Sequence, residues 1–306
     1  MSLLNKTNYL IVVIGPTAIG KTALAIEIAK HYQCDIISCD SRQFYKEMNI
    51  GTAVPSVEEQ AAAPHHFIQN ISIHTPYSVG DFERDALATL NDLFKHKNVQ
   101  VMVGGSGLFV NAVLQGLDDF PAIDPSVREQ LNQELEEKGL EALQNQLKEA
   151  DPIHYQKVAL DNPQRVIRAL EVCIGTGKPY SSFLNKKENT RNFVPIIIGL
   201  EADRAQMYNR INMRVDQMIE KGLLEEAEAL IPYKSHNALQ TVGYRELFSY
   251  FDNEIDLPFA IEEIKKNTRR FAKRQITWFK RTENVMWFDY QTPTSTILTS
   301  IDQKII

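Results

Sequence analysis

The sequence predicts an α/β protein: a parallel sheet with helices on both faces, carrying an α-helical insertion domain. Short β-rich apolar runs at 9–14, 35–38 and 99–103 alternate with longer amphipathic stretches, as in sheets whose parallel strands are buried on both sides. From about 121 to 188 the alternation stops, and a charged, Gln-, Glu- and Leu-rich stretch reads as helix alone. The apolar run at 193–200 then returns the chain to the sheet. These observations place one domain at 1–120 plus 189–306 and the insertion at 121–188.

A chain of 306 residues, 43% apolar and 24% charged, can bury one large core or two modest ones. Its 33 basic and 39 acidic residues give a net charge of −6, which excludes a uniformly basic nucleic-acid coat and leaves only a local patch for such a partner. The apolar run at 9–15 is far short of the roughly 18 residues of a membrane span and lacks a signal-cleavage pattern, so no membrane is expected. Three cysteines, Cys34, Cys39 and Cys173, are too few and too irregularly spaced for a disulfide framework or a zinc site. A reducing, cytoplasmic setting follows.

Taken in order, 9–14 is a buried strand because all six residues are apolar and four are β-branched. A helix at 22–31 buries Leu24, Ile26 and Ile28, and 35–38 and 99–103 are further buried strands. Asp124 and Pro125 supply an N-cap and a first-turn proline for a helical stretch to Ala150, broken at Gly139. Asp151-Pro152 and Asn162-Pro163 restart helices, the second ending near Ile174 where Gly175 and Gly177 stop it. The polar run 185–192 bounds the insertion. One long helix spans about 204–231, a basic helix about 260–280, and 285–288 is a last strand.

Gly15, Pro16, Thr17, Ala18, Ile19, Gly20, Lys21 and Thr22 fit the G-x-x-x-x-G-K-[ST] phosphate loop, between a buried strand and a helix start. Such a loop lets backbone N–H groups, a helix N-terminus and Lys21 offset two or more negative charges, and Thr22 can place its hydroxyl on magnesium. It recognises neighbouring phosphates on whatever carries them. The 99–103 strand ends in Gly104-Gly105-Ser106-Gly107 with no carboxylate, whereas 35–39 ends in Asp40. Asp40 is therefore a magnesium ligand, a base on an incoming nucleophile, or a turn cap. Ser106 can donate to a leaving-group oxygen or simply occupy a tight turn. His65 and His66 fall in a loop, without a third ligand for a metal. Arg210 and Arg214 share a helical face, as a clamp on phosphate oxygens would. Between 264 and 281 stand eight basic residues and no acid, interleaved with Phe271, Trp278 and Phe279. That strip on an acidic body is the electrostatic footprint of a nucleic-acid backbone site.

The strings Asp40-Ser-Arg-Gln-Phe-Tyr45, Ile50-Gly-Thr-Ala53, Ala63-Pro-His-His66, Tyr77-Ser-x-x-Asp-Phe82, Asn162-Pro-Gln-Arg-Val-Ile-Arg-Ala-Leu-Glu171, Val242-Gly-Tyr244 and Lys273-Arg-Gln-Ile-Thr-Trp278 join the two glycine loops in order. In this the chain resembles bacterial tRNA dimethylallyltransferases over nearly its whole length. The resemblance implies a P-loop NTPase-like core and transfer of a dimethylallyl group from dimethylallyl diphosphate to N6 of the adenosine at tRNA position 37, just 3′ of the anticodon, with Mg2+ as cofactor. It implies that Thr17 to Thr22 hold the diphosphate, Asp40 is the general base, Ser106 meets the bridging oxygen and Arg214 holds diphosphate oxygens. His65 matches a position linked to activity. Contacts with the tRNA anticodon stem-loop are implied for Asp40, Ser41, Arg42 and Gln43, for Ser106 and Arg128, and for Gln164, Arg165, Val166, Ile167 and Arg168. They are implied likewise for Val242, Gly243, Tyr244 and Arg245, and for Lys273, Arg274, Gln275 and Trp278 on the basic helix. The family usually has Thr where Ser106 stands and often Tyr where Phe109 stands. A monomer is expected. The competing reading, an ATP-dependent small-molecule kinase, explains the first loop and Asp40 but leaves the basic strip idle.

Overall fold

The computed structural model of the chain describes residues 7–184 and 191–305. Most of the polar run expected to bound the insertion, 185–190, lies outside the described residues. Strand β1 (Tyr9–Ile14) leads into α1 (Lys21–Tyr32), then β2 (Ile36–Ser38), α2 (Val57–Ala62), β3 (His65–His66), α3 (Val79–Leu93), β4 (Val99–Val103) and α4 (Gly107–Gln115). Four helices follow, α5 (Pro125–Lys138), α6 (Leu140–Ala150), α7 (Pro152–Tyr155) and α8 (Pro163–Thr176). Then come β5 (Val194–Glu201), α9 (Arg204–Glu220), α10 (Leu223–Ala229), α11 (Tyr244–Phe251), α12 (Leu257–Phe279), β6 (Val285–Asp289) and α13 (Thr294–Asp302).

The six strands form one parallel sheet in the order β3-β2-β4-β1-β5-β6. Side chains alternate across a strand, and β1 shows the consequence. Tyr9, Ile11 and Val13 bury into a core shared with α1 and α13, while Leu10, Val12 and Ile14 bury into a second core with Phe82 and Leu90 of α3 and Val110 of α4. Because β2, β4 and β1 are neighbours, their carboxyl ends deliver Asp40, the Gly104–Gly107 turn and the phosphate loop to one edge. The close approach needs glycine: a methyl group on Gly104 would overlap the Cys39 backbone and sulfur.

The chain divides into two compact units, one of residues up to Gln115 and from Arg191 onward, the other Gly116–Thr190. The second is helical. Asp124 caps α5, and Asn162 caps α8 behind Pro163. Its core joins Leu131, Leu143, Leu147, Val166, Ile167 and Leu170. Buried Asp151 accepts from the His154 and Ser181 N–H groups at 2.9 and 2.6 Å, tying α7 to the short turn after α8.

Three expectations change. His65 and His66 form a short edge strand beside β2 instead of a loop, with Ile36 opposite His65. Gly175 does not end its helix; α8 runs to Thr176 and stops at Gly177, whose φ of 66° is left-handed. The helix expected over 204–231 is two helices, because Gly222 takes φ 100° and redirects the chain so that Leu223 and Ala227 reach a core with Tyr244 and Leu247.

That core also anchors a loop. Glu226 of α10 accepts the N–H groups of Asn49, Ile50 and Gly51 at 3.0, 2.7 and 2.9 Å and the Tyr244 hydroxyl at 2.6 Å. On the other side, Gln43 donates to the Thr52 and Ala53 carbonyls at 3.2 and 2.9 Å. Tyr244 is fully buried, and a methyl group on Gly51 would overlap its ring. Gly51→Ala is accordingly expected to cost about 1–3 kcal/mol through overpacking and to lower the urea midpoint. An unchanged midpoint would show that the ring can yield.

Candidate active site

The phosphate loop owes its shape to backbone that side chains disfavour. Gly15 and Gly20 have φ of 147° and 106°, and Ala18, although not glycine, sits at 63°. A non-glycine residue held there costs about 1–2 kcal/mol, so its surroundings must impose it. Arg210 does so from α9 by donating Nε–H to the Ala18 carbonyl at 2.8 Å. Lys21 donates from Nζ to the Pro16 carbonyl at 2.7 Å. Gln275 of α12 accepts the Thr17 N–H at 2.9 Å. Helices α2, α3, α9 and α12 carry Ser or Asp caps, but α1 starts at Gly20 with no side-chain cap and no acid in its first turn. No side chain of its own first turn therefore offsets the positive end of its dipole.

Two cavities meet here. One, of about 820 Å³, is walled by the phosphate loop, by Asn49–Gln60 residues of the anchored loop and α2, and by Arg210, Arg214 and Lys221. The other, of about 420 Å³, is walled by Ser106 to Phe109, Ile211, Val215, Val242, Phe271, Arg274 and Trp278. Thr17, Asp40, Thr52, Arg214, Met218 and Gln275 line both. The first is cationic; the second is largely apolar and aromatic. Asp40 stands where they join.

Burial pulls the Lys21 ammonium down to about 8; Asp40 pushes the other way and Arg214 adds to the fall. Burial likewise lowers Arg214, with Asp40 opposing. Asp40 therefore faces both crowded cations, and Glu59 adds a second carboxylate on the Arg214 side. Asp40 Oδ1 also accepts the Arg42 N–H at 3.1 Å, so the cap reading of this residue holds alongside any chemical one. Ser106 Oγ accepts the Ser41 N–H at 3.1 Å and donates to Ser41 Oγ at 3.2 Å. Thr22 lines the cationic cavity.

Other residues drawn from the resemblance lie elsewhere. His65 lines neither cavity; its Nδ1 pairs with the Ala63 carbonyl at 2.8 Å and its buried Nε2 has no partner among the described residues. His66 pairs with Asp35 at 2.8 Å. No cluster of three metal-ligating side chains occurs among the described residues. Several side chains matched to RNA-contact positions are buried: Val166 and Ile167 in the helical core, Tyr244 against Glu226, Gln43 and Gln275 with their amides spent internally. Gln164, Arg165, Arg245, Lys273, Arg274 and Trp278 are exposed. Arg42 is pinned by the Asn237 and Ala238 carbonyls at 3.0 Å each. Arg168 lies over the Phe120 ring and pairs with Glu171 at 3.0 Å, with Arg128 at 3.9 Å from the same carboxylate.

The basic strip is also smaller than its sequence implies. Lys265 pairs with Asp216 and Glu262, Lys266 with Glu263 and Lys280 with Glu201, all at 2.7–3.0 Å. Those acids lie just outside the 264–281 window or on other elements. Arg269, Arg270, Lys273, Arg274 and Arg281 remain without an ion pair among the described residues, although Arg269 donates to Asn212 Oδ1 at 2.7 Å. The anchored loop and Met218 are cavity walls that sequence reasoning missed; the Ile50-Gly-Thr-Ala53 string was a signal, though it carried no role.

A phosphate loop facing the acid at the end of β2, joined to an aromatic cavity beside a basic helix, defines a group-transfer enzyme of the P-loop class with a nucleic-acid acceptor. A family model described as IPP transferase matches residues 43–282, and the chain belongs to that family. It is 63% identical to a tRNA dimethylallyltransferase of Flavobacterium psychrophilum over 97% of this chain and 99% of that one. Its fold is similar to the crystal structure of a tRNA isopentenylpyrophosphate transferase of Bacillus halodurans, with a TM-score of 0.71 and 36% identity over 97% and 95% of the chains. A eukaryotic dimethylallyltransferase solved acting on tRNA gives a TM-score of 0.79 at 27% identity, over 97% of this chain and 77% of that one.

The Lys21 charge sets a pH dependence. Pyrophosphate itself becomes more anionic as the pH rises, so the Lys21 effect is read as the ratio of wild-type to Lys21→Gln affinity, which is expected to be level well below about 8 and to fall as the pH rises through that value, because the ammonium loses its proton. Calorimetric titration of both proteins with inorganic pyrophosphate from pH 6.5 to 9.5 checks this. A wild-type and a variant profile that coincide would take Lys21 out of the cradle.

Proposed function

We propose that the chain transfers a dimethylallyl group from dimethylallyl diphosphate to N6 of adenosine 37 of tRNA, releasing diphosphate. One observation carries the reading: a cationic cavity and an aromatic one share Asp40, in a chain of the IPP transferase family. A small-molecule kinase would leave the exposed part of the basic helix idle.

An exocyclic adenine amine is a weak nucleophile because its lone pair is delocalised into the ring. The allylic C–O bond supplies a strong electrophile: it breaks with its electron pair going to the bridging oxygen while N6 forms the new bond to carbon. Charge grows on the departing diphosphate, where Lys21, Arg210, Arg214 and the loop N–H groups meet it. Ser106 donates to the bridging oxygen by giving up its bond to the Ser41 hydroxyl. The amine proton passes to Asp40 late, after C–N bonding has made it acidic.

Magnesium fits the donor set. It binds through one or two protein oxygens and fills its other positions with phosphate oxygens and water. The Thr22 hydroxyl lines the cationic cavity with no hydrogen bond among the described residues, and Asp40 lines the same cavity. Held there, the ion would supply further neutralisation of diphosphate charge.

The adenine leaves the anticodon-loop stack at a cost of a few kcal/mol, offset by stacking on rings such as Trp278 and by backbone contacts to Lys273 and Arg274. The residues matched on the helical unit, Gln164, Arg165, Arg168 and Arg128, supply further RNA contacts. Among the described residues no helix is long and apolar enough to cross a membrane. The reading has the chain acting as a monomer in the cytoplasm, where its tRNA is.

The test incubates the protein with magnesium, dimethylallyl diphosphate and an anticodon stem-loop, beside an ATP-hydrolysis assay. Alkylated adenine without appreciable phosphate release from ATP is expected; the reverse would end the reading. Asp40→Ala should lower kcat by about 10²–10⁴-fold while leaving tRNA Kd within a few-fold. An equal collapse of binding would make Asp40 architectural. The double variant Lys273→Ala, Arg274→Ala should flatten the dependence of log Kd on log salt by about one to two. An unchanged slope would remove α12 from the interface.

A further inference from the structure

Gln275 is matched to an RNA-contact position, but its surroundings give it another task. It is 6% exposed near the C-terminal end of α12, between outward-facing Arg274 and Trp278 and inward-facing Ala272 and Phe279. A buried amide is tolerated when both its ends find partners. Here Oε1 accepts the Thr17 N–H at 2.9 Å and Nε2 donates to the Gly105 carbonyl at 2.9 Å. An N–H can only donate and a carbonyl only accept, so the two partners fix which way the amide points.

The partners lie on different loops. Thr17 opens the phosphate loop after β1. Gly105 belongs to the turn after β4 and precedes Ser106, whose hydroxyl holds Ser41 next to Asp40. Beyond the Gly104 N–H to Val13 carbonyl bond at 3.3 Å, no backbone hydrogen bond joins the two loops among the described residues. The Gln275 amide spans them. The space is specific to it: a methyl group on Gly105 would overlap Nε2, and the same point lies 3.8 Å from Lys21 Nζ. Only glutamine suits both loops at this reach. Glutamate would lose the donor, and asparagine is one methylene short.

We propose that Gln275 is a positioning residue that sets the separation between the diphosphate cradle and the Ser106–Asp40 side of the site, and is not a contact to RNA. The inference rests on the reading that the phosphate loop holds diphosphate. A corollary is that the Thr17 N–H is committed to Gln275, leaving the amides from Ala18 to Thr22 for the anion. Without the strut the leaving group and the acceptor amine lose their alignment, and misplacement of about 1 Å can cost on the order of 100-fold in rate.

The test measures kcat, the KM for dimethylallyl diphosphate, tRNA Kd with its salt slope, and the melting temperature of the full chain. Gln275→Met should lower kcat by roughly 10- to 100-fold, with tRNA Kd and slope within about two-fold. Gln275→Glu should recover as the pH falls, since a protonated carboxyl both accepts from Thr17 and donates to Gly105. Its kcat relative to wild type is expected to rise at least about five-fold from pH 8 to pH 5.5. Gly105→Ala, which displaces the amide with Gln275 intact, should reproduce the kcat loss and covers the case in which Gln275→Met does not fold. A lower melting temperature with unchanged kcat, a loss of tRNA affinity exceeding the loss of kcat, or a Gln275→Glu variant without pH recovery would each overturn the proposal. Lys21→Ala separates the two readings: if it weakens inorganic pyrophosphate binding while the Gln275 variants keep wild-type kcat, the strut alone fails. If it leaves pyrophosphate binding intact, the phosphate-loop reading fails and takes the strut with it.

Discussion

A lysine ammonium packed among protein groups, with one carboxylate as its counterweight, is the constraint on which the rest of the site depends. Holding Lys21 at about 8 instead of 10.5 biases the site against its charge by roughly 3 kcal/mol, less where solvent reaches the cavity. Arg214 beside it is part of that cost and is itself lowered by burial. On the proposed reading an incoming diphosphate relieves both, so binding energy that an exposed lysine would forgo to water becomes available for the anion. The bare N-terminus of α1 serves the same end, since a capping side chain or a first-turn acid would compete with the ligand.

Such a cluster has to be propped from outside, because the loop that carries it adopts backbone that Ala18 resists. The props come from α9 and α12, elements that pack together through Met207, Ile211 and Ala272. The outer face of α12 carries Lys273, Arg274 and Trp278, and its inner face carries Gln275. One helix therefore addresses both proposed substrates. The facing wall, the loop at 49–53, is fastened in a different way: a carboxylate collects its amides and a glutamine its carbonyls, so its main chain is satisfied without belonging to helix or sheet.

Much of this was legible because the signals are local. An all-apolar run must be buried on both faces, a proline behind Asp124 or Asn162 starts a helix, and a glycine-rich turn between strand and helix takes left-handed backbone; each holds whatever surrounds it. What the sequence hid has a cause of another kind. Tyr244, Val166 and Ile167 lie in strings that match RNA-contact positions, yet burial, decided by distant packing partners, removes their side chains from the surface. The strip at 264–281 looked free of acids because those that neutralise it sit at 201, 216, 262 and 263.

By itself, the sequence determined the alternation of strand and helix, the phosphate loop and the acid at the end of the second strand, since each is a property of a few consecutive residues. Tertiary structure alone decided that two cavities meet at Asp40, that Glu226 and Tyr244 hold a cavity wall, and that Gln275 bridges loops 170 and 258 residues away in the chain. These depend on the order β2-β4-β1 and on where α9, α10 and α12 pack. Hydrogen bonds between residues so far apart form only after the chain has collapsed, and no local periodicity encodes them.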